Sequence, residues 1–168
     1  MTEERQEMIH NHMERLRTAV TNQETVVIRK TIVTIVESVT SWLNTIEYRV
    51  LTIKKIRSLK KRKEELKNLK NEILIIEETL DDLVEVSAMA VDQSSNEIQV
   101  LVKKCVKSLK GQVKIVKNFT TQSEDELLEN QRKWNEFLDG IDTLKQLVNE
   151  LQQQVPNLTN QKEDFESK

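Results

Sequence analysis

Between Ile28 and Val50 the apolar residues Ile28, Ile32, Ile35, Val39, Trp42 and Ile46 recur in steps of four and three. A strand returns a side chain to one face every second residue and a helix every 3.6, so this spacing is a helical stripe that packs against other helices. Trp42 falls mid-stripe, where its bulk anchors a core and its indole N–H needs an acceptor at the edge. The run from Val26 to Val36 is rich in β-branched residues, which on propensity alone favour a strand. Spacing outweighs propensity here. It persists beyond any strand's length, and no turn residues bracket it.

The stripe recurs along the chain. Ile9, Met13, Leu16 and Val20 carry it through residues 1–22. The next stripe starts eight residues later, one residue out of heptad phase, so the two segments are expected to face different neighbours. Thr21 and Glu24 have the spacing of a capping box at the restart. Leu66, Leu69, Ile73, Ile76, Leu80 and Leu83 form the next stripe. A turn is expected between Thr52 and Ser58, marked only by Ser58; without it 24–92 would be one helix of roughly 100 Å. Asp92–Glu97 is a clearer break, with Ser94 and Glu97 at capping-box spacing.

A third helix then carries Ile98, Val102, Cys105, Leu109, Val116 and Phe119. Gly111 inside it costs about 1 kcal/mol against alanine, which a packed helix absorbs. Ser123 and Glu126 offer another cap, so a break or bend is expected near 120–122. The last stripe runs through Leu127, Trp134, Phe137, Ile141, Leu144, Val148, Leu151 and Val155. Pro156 is expected to stop it, leaving 157–168 as a disordered polar tail.

Two glycines and one proline cannot supply the turns of a sheet protein, and 32% charged residues against 37% hydrophobic suit thin helical bundles. All-α is the expected class. One cysteine excludes an internal disulfide and fits a reducing compartment. The net charge of −2 predicts no general attraction to nucleic acid. No apolar run approaches the roughly 20 residues that span a bilayer, and the first residues lack a signal peptide's apolar core. A cytoplasmic location is expected, with the sequons at Asn118 and Asn157 arising by chance.

Trp134 lies 92 residues after Trp42, and the same offset takes Met13 to Cys105. Self-similarity at a long period marks stacked helical units. Ser41-Trp42-Leu43, the stretch from Lys133 to Leu138 and heptads through all three helices together resemble the spectrin-repeat superfamily. The closest likeness is to divergent repeats of nesprin, dystrophin-relative or plakin type.

The resemblance implies an elongated antiparallel three-helix bundle over 24–122. Residues 1–22 would then be the tail of a preceding repeat's last helix, and 123–156 the first helix of a following repeat. It implies a core on Trp42, Trp134, Ile35, Leu69, Ile76 and Leu109. The implied function is a non-enzymatic scaffold, actin-associated in type, that presents helix faces to cytoskeletal or adaptor proteins. A monomer is favoured over a homodimer, and the alternative reading is a membrane-surface or dimeric coiled-coil helical module that uses the basic run 54–70. The implied setting is the cytoskeleton, with the cytoplasmic face of the nuclear envelope reached through a parent protein.

Catalytic chemistry has little material. His10 and His12 stand about 200° apart around a helix and cannot share a ligand face. Cys105 reads as a buried structural thiol, and two glycines cannot build a phosphate-cradling loop. No cofactor is expected. Charge patterning is more telling. Residues 54–70 hold nine basic side chains and two acids, whereas 71–92 hold seven acids and no base. Lys54, Lys55, Arg57, Lys60, Lys61, Arg62 and Lys63 are therefore candidates for an acidic partner, with weak anionic-lipid contact as the alternative. The competing and preferred expectation is internal neutralisation. It sets the run against Glu124, Asp125, Glu126 and Glu129, and the acids of 71–92 against Lys103, Lys104, Lys107 and Lys110. No aromatic interleaves the run, which argues against stacking on nucleic-acid bases.

Overall fold

In a computed structural model the structure describes residues 2–90 and 95–166, with side chains described for 2–90 and 96–155. Four α-helices account for it: α1 (Thr2–Thr21), α2 (Thr25–Leu51), α3 (Leu59–Ala88) and α4 (Ser95–Glu166). The class is all-α. The β-branched run lies wholly inside α2, where Thr31, Thr34, Thr40 and Thr45 each turn a hydroxyl onto the carbonyl four residues back. Those bonds satisfy the hydroxyls inside the helix, and stripe burial overrides strand propensity.

The chain divides into two compact units, Met1–Glu124 and Asp125–Lys168. In the first, α1 reverses at Asn22–Glu24 and packs along α2, with Arg5 reaching Thr45. Gln23 takes a left-handed φ of 56°. Glu24 N–H donates to the Ala19 carbonyl and Gln23 N–H to the Val20 carbonyl, the pairing of a Schellman stop. The expected capping box is not formed: Glu24 caps α2 without a side-chain bond, and the Thr21 hydroxyl donates to Arg17 O. The phase skip is thus a chain reversal. Ile9, Met13, Leu16 and Val20, expected in a preceding repeat, are buried in the same unit as α2 and α3.

Between Thr52 and Ser58 the chain turns through one 3-10 turn, Ile53–Lys55, and Ser58 caps α3 by accepting from Lys61 N–H. The range 24–92 is therefore not one helix. Antiparallel α2–α3 packing places Arg49 on Glu65 and Trp42 on Glu72. The first part of α4 runs antiparallel to α3, joined by Lys110–Asp81, Lys117–Glu77 and Lys70–Glu124.

The core of this unit contains all the expected stripe residues of α2 and α3. Within this unit α4 buries Ile98, Val102, Val106, Leu109, Val113, Val116 and Thr120. Cys105 is half-buried and Phe119 is 42% exposed, one position off that face. Two successive four-residue steps after Ile98 carry the buried face from Val102 to Val106, where a strict heptad leads to Cys105.

The helix neither breaks at 120–122 nor stops at Pro156; it runs on for 72 residues. Ser123 lies in its interior and is not a cap. Pro156 lacks only the N–H that would bond the Gln152 carbonyl, one bond in a long ladder. The 157–166 stretch, expected to be disordered, is helical. The proposed cap at Ser94 lies outside the described residues.

Candidate functional site

The first unit is centred on a buried polar cluster. Trp42 is fully buried, and its indole N–H donates to Glu72 Oε1 at 3.0 Å. The same oxygen accepts from the Thr2 hydroxyl at 3.1 Å, while Glu72 Oε2 accepts from Arg49 Nη1 at 2.6 Å. Arg49 Nε also donates to Glu65 at 2.7 Å. Burial alone lowers the Arg49 pKa, but its hydrogen bonds to Glu65 and Glu72 and their negative charges outweigh that, and the net shift is upward. Glu72 is only 2% exposed, yet every buried side-chain N and O among the described residues has a partner. The cluster pins α1, α2 and α3 together.

Glu72 was the residue that stripe reading passed over. It lies three residues after Leu69 and four before Ile76, the spacing of a core position, and that spacing was its signal. Ile35, Leu69, Ile76 and Leu109 lie in this core beside Trp42. Trp134 lies in the second unit and is 56% exposed, away from the core that Trp42 occupies.

The basic run gathers where α2 gives way to α3. Lys54, Lys55, Arg57, Lys60, Lys61 and Lys63 are exposed. Arg62 turns inward, donating through Nε to the Ile56 carbonyl and through Nη2 to the Lys54 carbonyl at 2.7 Å. It closes the turn and is not available in the same sense as its neighbours. Lys70 pairs with Glu124, whereas Glu129 pairs with Arg132 on its own helix. Among the described residues Lys55, Arg57, Lys60, Lys61 and Lys63 form no ion pair, whereas Lys70 at the end of the run does. Of the lysines set against the acids of 71–92, Lys110 meets Asp81.

In the second unit no described side chain from 128 to 155 is buried. Trp134, Phe137, Leu144, Val148, Leu151 and Val155 are each half exposed or more, on one stripe. Trp134 and Phe137 lie with ring centroids 5.5 Å apart, a tilted pair at the head of that stripe.

His10 is exposed and His12 half-buried. No group of three or more His, Cys, Asp or Glu side chains among them is arranged to hold a metal ion. No described helix is long and apolar enough to cross a membrane.

Comparison with known proteins gives one informative similarity. The chain is 29% identical over 170 residues to Muscle-specific protein 300 kDa of Drosophila melanogaster, a match covering 99% of this chain. The chain spans about 1% of that relative's length, so the relative is a far longer polypeptide. No family model matches the sequence, and no solved structure matches the fold.

Proposed function

We propose that the chain is a non-enzymatic scaffold segment of spectrin-repeat type, with 24–122 as the repeating unit and α1 as an extra helix laid against it. The observation that carries this reading is α4. Its first part supplies core residues to a unit seated on Trp42, and the same helix continues for more than forty residues beyond that unit. A long helix that also supplies residues to a packed core is what a mechanical spacer would use to carry load along the chain. Similarity to a small part of a very long muscle protein supports the reading.

Partners are proposed to be acidic cytoskeletal or adaptor proteins, met by Lys55, Arg57, Lys60, Lys61 and Lys63. The setting that fits is the cytoplasmic cytoskeleton, reaching the nuclear envelope only through a parent protein.

Stretching single molecules between their ends tests the proposal. A scaffold unit resists and then yields in one step that releases roughly 400 Å of chain, as its 124 residues become extended. Gradual lengthening at negligible force would reject a load-bearing role. Cosedimentation with actin filaments, repeated with Lys60 and Lys61 changed to Glu, tests the basic run. Equal pelleting of both proteins would remove it as a filament contact.

A further inference from the structure

From the exposed stripe on α4 we infer that residues 134–155 associate with the same residues of a second copy of this chain as a parallel two-stranded coiled coil. The seam keeps strict register for three heptads. Trp134, Ile141, Val148 and Val155 occupy one core position (a), and Phe137, Leu144 and Leu151 the other (d). After the aromatic pair, every a residue is β-branched and every d residue is leucine. In parallel packing, a side chains meet their partners so that β-branched residues fit, while d geometry suits leucine, and this combination selects two strands.

The stripe is narrower than that of α2. Helix α2, which serves several neighbours, extends its apolar face from a and d onto the flanking e position with Val36, Leu43 and Val50. On α4 the corresponding e positions are Leu138, Lys145 and Gln152, and the g positions Gly140, Leu147 and Gln154. A stripe confined mainly to a and d covers one partner helix and leaves none for a third.

Charge agrees with self-association. Across a parallel pair the g-to-e contacts would be Lys133 with Leu138, Gly140 with Lys145 and Leu147 with Gln152, so no like charges face each other. The acids Glu136, Asp139, Asp142 and Glu150 occupy outer positions. The exposed stripe offers roughly 700 Å² of apolar surface per copy, close to the ~800 Å² per partner of a stable interface. This inference does not depend on the scaffold reading, since a dimer forms or fails whatever the first unit binds.

Sedimentation equilibrium on the full chain tests it. The expected result is a reversible shift from 19.7 kDa to twice that mass as concentration rises. Acrylamide quenching should fall in parallel, because Trp42 is already buried and only Trp134 becomes covered. The Leu144→Glu/Leu151→Glu variant should dissociate at least about a hundredfold more readily, as two d layers are lost. Those side chains are exposed and outside the first unit, so its fold and the Trp42 emission should be unchanged.

Orientation is read from Val148→Cys in a Cys105→Ser background, where oxidation should give a covalent dimer. A monomer at every concentration would overturn the inference and leave the stripe to helices of another polypeptide. Trimers, or a dimer that survives the double glutamate variant, would equally overturn it. A dimer without crosslinking through position 148 would refute parallel pairing.

Discussion

Glu72 is the residue whose removal should cost the first unit most for the fewest atoms. In Glu72→Leu the indole N–H of fully buried Trp42 loses the acceptor it has in the structure. A stranded buried donor costs about 1–3 kcal/mol. Arg49 loses one of two carboxylates but keeps Glu65 at 2.7 Å, and its side chain is 26% exposed. Solvent therefore takes up part of that loss, leaving about 1 kcal/mol. Leucine gains back some burial, and the net expectation is destabilisation by about 2–3 kcal/mol. Urea unfolding followed by circular dichroism measures it by linear extrapolation. Repeating Glu72→Leu in a Trp42→Phe background isolates the hydrogen bond, because the donor is then gone. There the same change should cost about 1–2 kcal/mol less. Equal costs in both backgrounds, or a Glu72→Leu protein within about 0.5 kcal/mol of the parent, would refute the reasoning.

Three further outcomes follow from local geometry. Gln23→Gly should stabilise by about 0.5–1 kcal/mol, since φ of 56° suits glycine; an unfolding midpoint at or below the parent's would count against the reversal at Asn22–Glu24. Arg62→Ala should destabilise by about 1 kcal/mol through loss of its two carbonyl contacts, while Lys61→Ala stays within about 0.5; equal effects in urea would show that Arg62 does not close the turn. A hydrogen bond from Arg132, helped by its charge, holds the Glu129 carboxyl below the usual range. Its small stabilising effect is present above the ordinary carboxylate pKa and fades as pH falls through the depressed value. Arg132→Ala should raise that titration in carboxyl-detected NMR, and an unmoved curve would exclude the pair.

The buried stripes of α1, α2 and α3 were legible because each has one face that every neighbour shares, so period alone identifies it. Ile35, Trp42, Leu69 and Ile76 could be named without a structure for that reason. Two other features could not. The reversal at Gln23 uses backbone bonds and a left-handed residue that is neither glycine nor asparagine, so composition carries no mark of it. The phase skip from Val20 to Ile28 was its only trace, equally compatible with a continuous helix whose stripe rotates. The start of α4 was ambiguous for a different reason. Val100, Leu101, Val102, Cys105 and Val106 put apolar side chains on more than one face, and only the neighbours it meets decide between Cys105 and Val106.

The cap spacing at Ser123–Glu126 and the proline at 156 failed as stop signals through a shared cause. A cap is worth about 1 kcal/mol where a helix ends, and inside a continuous helix the N–H groups it would satisfy already bond the carbonyls four residues back. Proline removes one backbone bond and costs about 3 kcal/mol, which ends a short helix more readily than a long one already propagated through some sixty residues. The same cooperativity explains why α4 can leave a packed unit with its stripe uncovered and still hold its form. Its backbone bonds are satisfied from within, so what remains unsatisfied is apolar surface and not hydrogen bonding. Apolar surface is the kind of debt that a partner helix settles without rearranging the backbone. The composition of the exposed seam should therefore decide which helix pairs along residues 134–155, while the Trp42–Glu72–Arg49 cluster holds the first unit folded.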